Sequence, residues 1–69
     1  MPLTMVAIGD TVTVQNITGD TETRRFLENL GFVVDAEIEV VAENHGSVIV
    51  SIKGSRIAVN EDMAKHIYV

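Results

Sequence analysis

The chain has no cysteine and no tryptophan, and only one proline, one tyrosine and two phenylalanines among 69 residues. Without cysteine there is neither a disulfide framework nor a thiolate metal site, which fits a reducing compartment. With no Trp, and with Phe26 and Phe32 expected in the core, an aromatic groove for proline-rich ligands cannot be assembled. Positive charge is equally scarce: five Lys and Arg stand against ten Asp and Glu, a formal net charge of −5. Nucleic-acid binding draws on a basic footprint that releases counterions, so the opposite sign argues against it. No apolar run, Met5-Val6-Ala7-Ile8 included, approaches the ~20 residues of a membrane-spanning helix, so direct membrane insertion is not expected. No Lys or Arg precedes an apolar segment as it would in a secretory leader. A soluble cytoplasmic domain is the expectation.

What is present favours folding. The hydrophobic share is 46%, charged residues make up 22%, and the mean hydropathy is +0.26, far from the composition of disordered chains. A chain this short makes one domain, residues 1–69, and buries only roughly 60% of its unfolded surface. Its large apolar residues should therefore be committed to a thin core, with Met5 and Met63 as fillers.

The elements are legible from periodicity and turn residues. Leu3 opens one short turn with Thr4 as its cap, and Gly9-Asp10 closes it. Thr11 to Ile17 alternates with Val12 and Val14 on one face, and Ile17 breaks the parity, which predicts a bend near Gln15-Asn16. From Thr21 the spacing of Phe26, Leu27 and Leu30 predicts a helix capped by Asp20 or Thr21. Gly31 supplies its left-handed end, and Phe32 should pack back on Leu27. Glu37 to Glu43 reads as a half-buried strand with Ile38, Val40 and Ala42 facing one way and Glu37, Glu39, Val41 and Glu43 the other. Asn44-His45-Gly46 then turns into Ser47 to Lys53, with Val48, Val50 and Ile52 inward. Lys53-Gly54-Ser55 turns again into Arg56 to Val59. Asn60 caps a last helical turn with Glu61 and Asp62 at its start and Lys65 and His66 at its end, before a closing strand from Ile67. The fold class is mostly β with one main helix. The order strand, helix, three-strand meander, short helical turn, strand predicts a five-stranded SH3-like barrel whose first and last strands pair.

Candidate sites are few. His45, His66, Asp35, Glu37, Glu39 and Glu43 are chemically suited to a divalent metal, and Glu43 with His45 could converge at the hairpin. Yet Glu37, Glu39 and Glu43 fall on the solvent face of a strand, and no spacing resembles an ion-wrapping loop. No cofactor and no defined metal site are therefore expected, with room only for weak divalent binding. Nothing brings a nucleophile, a base and an orienting group together, so no catalytic residue is assigned. Arg56 is read as a partner in a structural salt bridge. Protein contact remains: Arg24, Arg25 and Glu28 share the helix with Asn29, and Phe32-Val33-Val34 is a longer apolar run than one helix end needs. Arg24 reads either as half of an i,i+4 pair with Glu28 or as an interface anchor. A partly exposed Phe32-Val33-Val34 run would serve docking or self-association.

Leu3, Gly9 with Val12 and Val14, Ile17-Thr18-Gly19, Arg24-Arg25-Phe26-Leu27-Glu28-Asn29-Leu30-Gly31-Phe32, Glu37-Ile38-Glu39-Val40-Val41 and Gly54-Ser55-Arg56-Ile57-Ala58-Val59 together form a pattern. The pattern resembles the ferrous iron transport protein A (FeoA) family over nearly the whole chain. The resemblance implies a small cytoplasmic SH3-like protein that assists the large membrane ferrous iron permease with its GTP-binding domain. Where relatives usually carry a Pro-Gly turn after the helix, this chain has Val34-Asp35. On this basis the expected function is a non-enzymatic accessory role, binding and modulating that permease through Arg24, Arg25, Glu28, Phe32, Val33 and Val34. The alternative is a metal-responsive regulatory domain that binds a divalent transition metal, like the SH3-like tails of iron-dependent repressors.

Overall fold

A computed structural model describes residues 1–69. Six strands and two helices follow a short 3-10 turn at Leu3–Met5. They are β1 (Thr11–Thr13), β2 (Asn16–Ile17), α1 (Thr21–Leu30), β3 (Glu37–Asn44), β4 (Ser47–Ile52), β5 (Ser55–Asn60), α2 (Glu61–Ala64) and β6 (Ile67–Tyr68). The expected SH3-like architecture of one main helix and antiparallel strands is present, but the cylinder is not closed by one continuous ladder. Instead β1-β3-β4-β5 form a four-stranded sheet and β2-β6 a separate pair.

The division arises at the bend predicted from the parity break. Thr11–Thr13 pairs with Glu37–Glu39 of β3, and then the backbone changes partners. Val14 donates its N–H to the Ala36 carbonyl (2.9 Å), whereas Gln15 donates to Tyr68 (2.7 Å). The next two residues pair with β6. First and last strand segments thus meet as expected, through two short strands in place of one long one.

Both hairpins have two-residue loops in which each residue has positive φ: His45 (+47°) with Gly46 (+81°), and Lys53 (+50°) with Gly54 (+83°). Such loops match the twist of the flanking strands. The predicted alternation of β3 fails at one point. A bulge between Val40 and Ala42 pairs Val40 with Val50 and Ala42 with Ile49, so Val41 and Ala42 are both half-buried. An extra residue in one strand resets which side chains face inward.

The ends of α1 are set by Asp20 and Gly31. The Asp20 carboxylate accepts the Thr23 N–H at 2.8 Å, satisfying one of the free donors of the first turn. At the other end Gly31 has φ +108° and donates to the Glu28 carbonyl, while Phe32 donates to Leu27, both at 3.0 Å. That pair of bonds closes the helix and turns Phe32 inward. Asn60 caps α2 in the same manner, accepting the Met63 N–H at 2.9 Å. The first turn is capped at Pro2 with no side-chain bond, so Thr4 does not act as a cap.

Fourteen residues are buried, all hydrophobic, and Phe32, Leu3, Leu27, Ile38 and Ile67 are the largest of those that are fully buried. Two expected core members lie outside: Phe26 is 49% exposed and Met5 69% exposed. Adjacent helix positions point about 100° apart, and Leu27 takes the inward direction. Met63 does pack on the core's edge.

Candidate functional site

The residues brought together on the outside converge where α1 ends. After Gly31, the chain makes a tight turn from Val33 to Ala36, closed by the Ala36 N–H to the Val33 carbonyl (3.0 Å), with Asp35 at φ +74° in its third position. Asp is among the few residues that tolerate this conformation, so the turn forms with Val34 and Asp35 at its centre. Asp35 also donates its N–H to the Val14 carbonyl (2.8 Å), which pins the turn beside β2.

The result is an open groove of about 350 Å³ with three walls. Asn16 and Ile17 come from β2, Arg24 and Glu28 from α1, and Phe32, Val33 and Val34 from the segment after it. Five of the six residues expected at a partner surface line this groove, and the sixth, Arg25, lies in an adjoining polar hollow with Thr21, Arg24 and Glu28. Their exposure is uneven. Val33 and Val34 are 43% and 56% exposed, whereas Phe32 is fully buried and forms the floor. Phe32 therefore supports the groove from below and offers little surface of its own. Asn16 and Ile17 were not anticipated, although the parity break at Ile17 was the signal that β2 turns toward the helix.

The charges at this surface are unpaired within the chain. The one ion pair in the protein is Lys65 Nζ to Asp62 Oδ1 at 4.0 Å, both exposed. Of the two readings of Arg24, the i,i+4 pair with Glu28 does not form, and Arg56, expected in a salt bridge, is exposed on β5 without one. On a helix, residues four apart stand one above the other, so Arg24 and Glu28 form a common rim between the apolar groove and the polar hollow.

The other candidates stay apart. Glu37, Glu39, Glu43, Asp35 and His45 are exposed, and no three His, Asp or Glu side chains gather as a metal-binding group. His66, expected as a cation at the end of α2, lies beyond that helix and is half-buried. Its Nδ1 is 3.1 Å from Thr18 Oγ1, and its carbonyl accepts the Thr18 N–H at 2.8 Å. Asp20, beside this pair, has its carboxyl held below the ordinary 3.8, chiefly by the Thr23 backbone N–H and then by the Thr23 side chain, with His66 and Arg24 adding smaller attractions. No polar or charged residue is buried, so the chemistry of the molecule lies on its surface.

Fold and groove define a small SH3-like domain that carries an apolar trough edged by arginines without a partner in the chain. The chain belongs to the FeoA domain family, whose family model matches residues 1–69. A candidate Fe(2+) transport protein A from Methanocaldococcus jannaschii is 31% identical over 68 residues, covering 99% of this chain and 83% of the relative. Among solved structures, an iron uptake regulatory protein (FeoA) superposes with a TM-score of 0.87 at 33% identity, covering 96% of this chain and 88% of that one. FeoA of Stenotrophomonas maltophilia in complex with zinc, described as a prokaryotic SH3 domain protein, shares the fold. Its TM-score is 0.85 at 23% identity, over 99% of this chain and 87% of that one. Membership places the chain in a family of Fe(2+) transport proteins. No helix is long and apolar enough to cross a membrane.

Proposed function

We propose that this chain is a non-enzymatic accessory protein of ferrous iron uptake. It works at the cytoplasmic face of the membrane, binds the cytoplasmic part of the ferrous iron permease that carries the GTP-binding domain, and modulates its transport or nucleotide cycle. The observation that carries the reading is the groove: two half-exposed valines beside two arginines that have no partner in the chain. Covering each valine contributes on the order of 1 kcal/mol, and an arginine fork offers paired hydrogen bonds to a carboxylate. These are the features of an interface centre with a polar rim.

The test is binding of the purified protein to the permease's soluble GTP-binding domain and to the intact permease. Arg24→Glu and Val33→Asp, both surface changes, should each weaken binding at least tenfold while leaving the unfolding midpoint nearly unchanged. Absence of binding to either form of the permease overturns the proposal. The zinc complex of the S. maltophilia protein supports the metal-responsive alternative, which would show instead as saturable, His- or Glu-dependent metal binding.

A further inference from the structure

The groove and the polar hollow are two halves of one surface, because Arg24 and Glu28 line both. One half is apolar, walled by Ile17, Val33 and Val34; the other has no apolar residue and presents Arg24 and Arg25. Building on the docking role proposed above, we infer that the surface recognises a polypeptide segment carrying one acidic side chain next to an aliphatic one. The carboxylate lies over Arg24 and Arg25, and the aliphatic side chain enters the trough against Val33 and Val34.

Charge selects this occupant over others. The protein carries a net −5, so two adjacent cations free of intramolecular partners are a local exception that a single negative group complements. Glu28 lines both halves beside those cations, and Glu22 and Asp20 lie on the same helix and its cap. A phosphate-rich membrane or nucleic acid, or a run of acidic residues, would press several negative charges against these carboxylates. One carboxylate reaching the arginine forks avoids that repulsion and gains their bidentate geometry. The apolar half supplies the second requirement, since a wholly polar anion would leave Val33 and Val34 uncovered.

A phage-displayed random peptide library, selected on the immobilised full chain, tests the inference without the permease. The expected enrichment is peptides with one Asp or Glu within a few residues of Leu, Ile, Val or Phe. A synthetic copy of the leading peptide should shift the amide resonances of Arg24, Glu28, Val33 and Val34. Replacing its acid by the amide, or using the Arg24→Gln protein, should weaken binding about tenfold, and raised salt should weaken it further. Enrichment of basic, proline-rich or polyacidic peptides, no enrichment, or shifts mapping elsewhere would overturn it. So would equally tight binding of inorganic phosphate or of phosphatidylglycerol vesicles through Arg24 and Arg25. If the permease domain binds but Arg24→Gln and the selected peptide have no effect on it, this inference fails while the accessory role stands. If the peptide binds as described and the permease does not, the accessory role fails and the recognition rule remains.

Discussion

Replacing Gly31 probes the joint on which both the helix and the groove depend. Its φ of +108° with ψ near 0° is open to glycine and strained for other residues. The expected penalty is conformational, because a Cβ at this position would meet Ile52 Cγ2 at 3.5 Å and Cδ1 at 3.7 Å, which is ordinary contact. Gly31→Ala should therefore cost about 1–2 kcal/mol. Gly31→Val, branched at Cβ, should approach about 3 kcal/mol. A 69-residue domain has a total stability of about 3–10 kcal/mol, so the valine variant should be close to unfolding. In urea, with a slope near 1 kcal/mol per molar for so small a domain, the alanine variant should lose about 1–2 M in its midpoint. Gly9 is the control: its φ is +96° with nothing within 4 Å of a Cβ, so Gly9→Ala should cost a similar amount for the same reason. Amide exchange adds a local readout, since the Phe32 N–H bonded to Leu27 should exchange faster when the turn is weakened. A Gly31→Ala midpoint within 0.3 M of the parent (about 0.3 kcal/mol at that slope) would mean that this position carries no conformational strain.

Further consequences can be measured with the same preparations. Leu27→Ala, at a fully buried site, should cost about 2–5 kcal/mol, and Phe26→Ala, at a half-exposed one, less than half as much. Equal losses in urea unfolding would contradict the assignment of faces on α1. The depressed Asp20 pKa favours the fold above its ordinary value of 3.8, and that contribution is lost as pH falls through the folded value. Asp20→Asn, which keeps the cap, should therefore unfold much as the parent does at neutral pH and show a flatter loss of stability in acid; an unchanged acid profile would count against it. Calorimetric titration with ferrous iron or zinc should give no saturable heat that His45→Ala or Glu43→Ala abolishes, and such heat would restore the metal-responsive reading.

Much of this architecture follows from local signals that agree with one another. Asp20, Gly31 and Asn60 mark helix ends because each answers a backbone requirement within its own turn. His45-Gly46 and Lys53-Gly54 mark hairpins for the same kind of reason. What escaped the sequence depends on contacts made at a distance. The choice of Leu27 over Phe26 as the buried residue is made by the common core that Leu27 joins, and the Thr18–His66 pairing joins positions 48 residues apart. The bulge at Val41 had a visible sign in the adjacent apolar pair Val40-Val41, which strict alternation does not accommodate. For the groove, Arg24, Arg25, Glu28, Val33 and Val34 were recognisable as surface candidates. The β2 wall needed the backbone switch at Val14 and Gln15, whereas the inward turn of Phe32 was already signalled by Gly31 before it.

The most direct measurement is a calorimetric titration of this protein into the permease's soluble GTP-binding domain, with intact permease in detergent as the parallel sample. Saturable binding to at least one of the two is expected, falling at least tenfold with Arg24→Glu and with Val33→Asp and unaffected by Lys65→Ala at the exposed Lys65–Asp62 pair, which lines neither the groove nor the hollow. Failure to bind either sample, or binding indifferent to both groove variants, would contradict the proposed docking role.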